Sequence, residues 1–170
     1  MPLQPFERVV EEHGAIVWRV CRAIAGPNDA DDVWSETFLA ALRAYPTLRP
    51  GSDVRAWLIT IAQRKAIDRY RAALRTPVPV AVLPEVTESG QAGAADGHDD
   101  ELWEAVRRLP PKQRSAVAYR YLADLPYREI GELMGISEAA ARRNAADGVA
   151  ALRATYQAAD EASCQQGSSP

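Results

Sequence analysis

The sequence holds little cysteine, histidine or phenylalanine, two of each in 170 residues, and each shortage removes a class of function. Cys21 and Cys164 form no CxxC pair, no zinc-ligand spacing and no disulfide framework. Cys21 lies among Val17, Trp18, Val20 and Ile24, where a small buried hydrophobe is expected, and Cys164 sits in a polar tail. A phosphate-binding GxxxxGK[ST] loop and a GxSxG nucleophile elbow are both missing. His13, Asp31, Asp32 and Glu36 are the nearest thing to a metal set. Adjacent aspartates point in different directions, however, and no Glu-x-x-His accompanies them. No apolar run approaches the roughly 20 residues that span a bilayer. Met1 to Arg8 contain proline and acid and lack the apolar core of a signal peptide. The expectation is a soluble, cytoplasmic chain without membrane insertion, not an enzyme, with no cofactor and no metal.

One stretch has no basic residue at all. Residues 76–100 carry five acidic groups, three prolines and a Gly/Ala/Asp run, the chemistry of a flexible linker. The formal net charge of −3 therefore misleads. Residues 1–75 and 101–156 are each +2, the linker is −5 and the segment 157–170 is −2. A nucleic acid responds to local patches rather than to the total, so the balance is compatible with DNA binding. Four segments follow: a block 1–75, a disordered acidic linker 76–100, a block 101–156 and a disordered tail 157–170.

Both blocks read as helical. Phe6, Val9, Val10, Ile16, Val17, Val20 and Ile24 recur at helix spacing up to Gly26-Pro27. Asn28 and Asp29 are good N-cap residues for a second helix that runs to about Tyr45-Pro46, with Asp31 and Asp32 at its positive end. On it Val33, Trp34, Thr37, Phe38, Ala41 and Leu42 form the expected buried stripe, and Asp32, Ser35, Glu36, Leu39 and Arg43 fall opposite. A third helix spans about Val54 to Leu74, with Arg64, Lys65, Arg69, Arg71 and Arg75 toward its far end. In the second block one helix carries Leu102, Val106 and Leu109, another covers Lys112 to Ala123, and two follow Pro126 and Ser137. The fold class expected is all-α, two small helical domains joined by a flexible linker.

The sharpest local pattern is YREIGELMGISEAAARRNAADGVAALR, residues 127–153. Ile130, Leu133 and Met134 supply an apolar face, Gly131 permits a close helix crossing, and Gly135 suits a left-handed turn. Ser137 caps the next helix, which carries Arg142 and Arg143 near its start. This is helix-turn-helix spacing, in which the start of the second helix enters the major groove. An ordinary αα-corner with solvated arginines has the same pattern, and the segment alone leaves both open.

The wider context narrows it. LPPKQRSAVAYRYLADLPYREIGELMGIS resembles region 4 of the sigma-70 family through Leu109, Pro110, Gln113, Arg114, Tyr121, Leu122, Tyr127, Glu129, Ile130 and Gly135. The first block resembles region 2 of extracytoplasmic function (ECF) sigma factors. Its matching positions are Asp29, Ala30, Asp32, Val33, Glu36, Thr37, Phe38 and Leu39, then Arg55, Ala56, Trp57, Leu58, Ile61, Ala62, Asp68 and Arg69. Two motif sets in the family's order cover about residues 5 to 155.

The resemblance implies a promoter-specificity subunit. Asp29, Asp32, Ser35, Glu36, Leu39 and Arg43 would bind core RNA polymerase at the clamp helices of its largest subunit. Charge steers such docking and one large apolar side chain anchors it. Ser52, Asp53, Arg55, Arg64, Lys65, Arg69 and Arg71 would hold the minus-10 element of promoter DNA as a single strand, where capture of exposed bases drives melting. Ser137, Glu138, Arg142, Arg143 and Asn144 would read the minus-35 duplex, with region 4 docked on the polymerase flap. An anti-sigma factor covering both lobes is a further implied partner. The sequence departs from the family at Ala145, Ala146, Asp147 and Gly148, where bulkier or basic residues are common. It departs again at Gln63-Arg64, where Arg-Asn is usual, and at Pro126, which replaces a Ser/Thr cap. A sigma-like adaptor or mimic that binds a regulator without productive promoter recognition is the alternative reading.

Overall fold

A computed structural model describes residues 4–75 and 97–166. The described residues contain seven α-helices and two short turns: α1 (Phe6–Ala25), α2 (Ala30–Ala44), a 3₁₀ turn (Tyr45–Thr47), α3 (Val54–Arg75), α4 (Gly97–Arg108), α5 (Pro111–Val117), a π-helical turn (Ala118–Leu122), α6 (Tyr127–Met134) and α7 (Glu138–Gln166). The all-α expectation holds, and among the described residues no helix is long and apolar enough to cross a membrane.

Helices α1, α2 and α3 form the N-terminal lobe. Val9, Val17 and Val20 from α1, Val33 and Ala41 from α2, and Leu58, Ile59 and Ala62 from α3 are fully buried together. Burying each large side chain contributes about 1.5–3 kcal/mol. Aromatic rings close one end: Phe38 lies 4.7 Å from Trp34 and 6.3 Å from Phe6, centroid to centroid. Two ring-borne donors find backbone acceptors, as buried polar groups must. Trp34 Nε1 donates to Gly14 O at 2.9 Å, and the Tyr45 hydroxyl donates to Gln4 O at 2.8 Å.

In the C-terminal lobe the helices approach closely through small residues. Gly135 ends α6 at φ 65°, ψ 35°, the left-handed conformation that glycine adopts without a steric penalty. A Cβ on Gly131 would come within 2.8 Å of Ile136 O, and one on Gly148 within 2.6 Å of Val117 Cγ2. Ser137 Oγ accepts the amide of Ala140 at 3.2 Å and caps α7.

Several boundaries and faces differ from the sequence reading. Helix α4 begins at Gly97, so 97–100 are helical although composition assigned them to the linker. Residues 76–96, and with them the rest of the linker expectation, lie outside the described residues. Of the expected disordered tail 157–170, residues 157–166 instead continue α7, because ALRATYQAADEASCQQ is rich in alanine and contains no glycine or proline, and 167–170 lie outside the described residues. The helix expected over Lys112 to Ala123 widens into a π turn after Val117, and the Ala123 amide reaches back to Ala118 O at 3.2 Å. Leu42, placed on the buried stripe, is 51% exposed. It stands about 100° of helix rotation beyond Ala41, which carries it past the edge of the core.

The two lobes also pack against each other. Tyr119, Ala123, Leu125 and Ile130 share one buried cluster with Cys21, Leu58 and Ala62. Burial pushes the Cys21 thiol up to about 12 and raises the Tyr119 hydroxyl as well.

Candidate functional site

Three groups of residues carry the functional expectations, and the fold distributes them over α2, α3 and the start of α7. On α2, Leu39 (55% exposed) and Leu42 form an apolar pair one turn apart, with Ser35 and Arg43 exposed alongside. Leu42 was not among the anticipated contact residues. The i, i+3 spacing from Leu39, bounded by Arg43, was the signal that could have found it.

The acidic members of the same group are not free. Arg69 of α3 reaches across to α2, where its Nε donates to Asp29 Oδ1 at 2.6 Å and a second nitrogen donates to Asp32 Oδ2. Its third nitrogen lies 3.6 Å from Glu36, and Lys65 Nζ lies 3.7 Å from the other oxygen of that carboxylate. The Asp29 hydrogen bond, with the charges of Asp29 and Asp32 behind it, holds the Arg69 guanidinium above its ordinary range. Asp29 was expected to cap α2 with its side chain. It makes no such bond, because its carboxylate is committed to Arg69. Side chains expected on two different surfaces thus form one charge network at the α2–α3 junction. Each exposed pair contributes only about 0–1 kcal/mol, but a shared guanidinium orients all three carboxylates.

The other residues expected at the minus-10 element split. Arg64 and Arg71 are exposed on α3, as are Ser52 and Asp53 in the loop before it. Asp53 Oδ1 accepts the Ala56 amide at 3.0 Å and so caps α3. Arg55 points toward the C-terminal lobe, donating to Ala123 O at 3.2 Å.

At the start of α7, Arg142 and Arg143 are exposed. Arg142 donates to Glu138 Oε1 at 2.8 Å, and its guanidinium lies 5.3 Å from the centre of the Tyr127 ring. Asn144 spends its amide on Ala140 O at 2.8 Å, and Ser137 is the cap. The small residues that looked like a thinned recognition face divide by side. Ala141, Ala145 and Gly148 are buried, with Gly148 against Val117 and Gln113 of α5, while Ala146 and Asp147 are exposed. Two of the four departures from the family pattern are therefore packing residues. Among the described residues no group of three or more His, Cys, Asp or Glu could hold a metal ion.

The family description Sigma-70 region 2 matches residues 9–76, and Sigma-70 region 4 matches residues 99–152. The RNA polymerase sigma factor CarQ of Myxococcus xanthus is 34% identical over 73% of this chain and 72% of its own length. The ECF RNA polymerase sigma factor SigL of Mycobacterium tuberculosis is 30% identical over 86% of each. BldN of Streptomyces coelicolor, an ECF RNA polymerase sigma factor, is 33% identical over 79% of this chain, which spans about half (54%) of that relative's length. Among solved structures, the sigma factor RpoE of Bartonella quintana, in complex with the anti-sigma factor NepR, superposes with a TM-score of 0.71 at 18% identity, over 89% of this chain and 96% of that one. CnrH, in complex with the cytosolic domain of CnrY, gives a TM-score of 0.62 at 23% identity, over 90% and 88%. With region 2 on the first lobe, region 4 on the helix-turn-helix, and CarQ and SigL matched over more than two thirds of their own length, the chain belongs to the sigma-70 family, among its ECF members.

Proposed function

We propose that this sigma factor directs transcription initiation by holding core polymerase through α2 and promoter DNA through α3 and α7. The observation that carries the reading is the exposed Leu39–Leu42 pair beside carboxylates already oriented by Arg69. A basic helix of the polymerase clamp would meet an apolar anchor and a preset acidic rim, the combination that yields a small, specific interface. Arg64 and Arg71 lie outside the charge network, available to neutralise phosphates of the opened minus-10 strand. Arg142 and Arg143, at the start of the second helix of a helix-turn-helix, take the place from which such helices reach base edges in the minus-35 duplex. Region 4 would also dock on the polymerase flap. Residues 1–75 would then act as the polymerase and minus-10 unit and residues 101–156 as the minus-35 unit. The structural neighbour RpoE was solved with an anti-sigma factor, which supports an anti-sigma partner for this chain too. The adaptor alternative drew on a thin recognition helix. It loses much of that support because Ala145 and Gly148 face the interior.

Transcription with purified core polymerase on a randomised promoter library tests the proposal. Starts that require the protein and share two elements support it, while an inability to associate with core polymerase defeats it.

A further inference from the structure

Two adjacent arginines on α7 have different surroundings. The buried side of the helix start is set by Ala141, Ala145 and Gly148. Arg143 is two residues from each of the two alanines, and at about 100° per residue it stands opposite that side, pointing straight away from the lobe. Ala139 and Ala146 flank it and end at a methyl group, both exposed. One turn further on, Asp147 is exposed on the same outer half of the helix. Among the described residues neither Arg143 nor Asp147 is held by a hydrogen bond, an ion pair or a ring contact. Arg142 stands a quarter turn round from the buried side, on the flank that meets α6. There Glu138 fixes its guanidinium at 2.8 Å, and the Tyr127 ring, at the first residue of α6, lies 5.3 Å away. Arg120 lies 5.4 Å from the centre of the same ring. Two cations therefore gather on Tyr127, beside the start of α6, while a third projects alone from the outer face of α7.

These positions meet different parts of a DNA duplex. In a helix-turn-helix the first helix crosses the backbone and the second lies in the major groove. Cations beside the first helix neutralise phosphate, which fixes orientation and carries no sequence information. A guanidinium aimed from the outer face of the second helix meets base edges, where its two parallel donors match O6 and N7 of guanine. A carboxylate beside it accepts from the N4 amino group of cytosine. Phosphate repels Asp147, so the helix is tolerated only where that side chain lies over bases. Four residues advance the helix by about 6 Å, less than two base-pair steps of about 3.4 Å, so Arg143 and Asp147 reach the same pair or neighbouring ones.

We infer that Arg143 and Asp147 set the sequence this protein selects, a guanine taken by Arg143 and a cytosine taken by Asp147 in the same or a neighbouring base pair, while Arg142 grips phosphate from the flank. This rests on the region 4 reading of α7 and divides the labour of two arginines that it assigns jointly. Transcription with core polymerase from promoters randomised in the minus-35 element reads the division. Arg143→Ala should erase a guanine preference of about fivefold or more at one position and leave the others. Asp147→Asn should move the preferred base at a second position from cytosine to adenine, because a carboxamide pairs with N6 and N7 of adenine. Arg142→Ala should keep every base preference, lower output on all sequences alike and reduce the slope of log output against log salt by about 1. All three side chains are exposed, and circular dichroism checks that the variants keep their helix. A base preference lost with Arg142→Ala but kept with Arg143→Ala overturns the division, and unchanged preference with Asp147→Asn overturns the cytosine contact. Initiation by the wild type with no base preference in this element overturns the inference and leaves the sigma-factor reading standing. If the wild type does not associate with core polymerase, that reading falls. Selection of the randomised duplex by the full chain alone then decides, and no enrichment of guanine overturns the inference.

Discussion

Around Phe38 the N-terminal lobe is filled ring against ring, with Trp34, Phe6 and Tyr45 closing one end of a core of valine, leucine and isoleucine. Around Gly131 and Gly148 the C-terminal lobe has no room for a single methyl group, and alanines line much of the α7 face that meets α5 and α6. Both lobes are helical, yet one depends on volume present and the other on volume withheld. Opposite substitutions should therefore damage them.

Phe38→Ala should have the largest effect, a loss of about 3–5 kcal/mol from removing a buried ring and leaving a cavity. Thermal or urea unfolding followed by circular dichroism measures it, and a loss below about 1 kcal/mol would break the contrast. Alkali probes the place where the lobes meet. The unfolded Cys21 thiol ionises near pH 9, whereas burial keeps the folded thiol protonated up to about 12. The folded state then holds the extra proton, so stability should fall as pH rises across that window, with a slope approaching about 1.4 kcal/mol per pH unit from this group. Tyr119, also raised by burial, steepens the fall at higher pH. Cys21→Ala should flatten the slope of unfolding free energy against pH between 9 and 11.

Next comes Gly131→Ala. On an open helix this change stabilises by about 0.5–1 kcal/mol. Here the new Cβ meets the Ile136 carbonyl at 2.8 Å, so a net loss of about 1–3 kcal/mol is expected in the same unfolding measurement. Smallest in stability, and the sharpest on function, is Arg142→Ala with Arg143→Ala. Both side chains are exposed, so unfolding should shift by less than about 0.5 kcal/mol. Initiation that depends on the minus-35 element should drop about tenfold or more while core binding is kept, since each good base contact is worth about 1–3 kcal/mol. Loss of core binding in this variant would remove the role assigned to the pair.

Much of this was legible from local pattern. The helix-turn-helix could be read because its signals are short-range: Gly135 at a left-handed position, Ser137 at a cap and an apolar face at Ile130, Leu133 and Met134. The same reasoning misplaced Leu42, because a periodic stripe shows which side is buried but not where the neighbouring helix stops covering it. Nor does it show how the polar groups of region 2 pair with one another. The capping role expected of Asp29 and the DNA role expected of Arg69 were each reasonable in isolation. Neither position shows that the other lies within hydrogen-bond reach, forty residues away.

By itself the sequence determined the helices, their approximate ends and the residue types each helix offers, since those follow from periodicity, caps and composition over a few turns, and its motifs carried the resemblance to two sigma-type regions in order. Only the tertiary structure decided which charges neutralise one another, which small residues are packing rather than recognition, and that the two lobes pack through Arg55 and the cluster around Tyr119. Those outcomes depend on how whole helices dock. Docking is set by the sum of many side-chain contacts between segments far apart in the chain, which no local window contains.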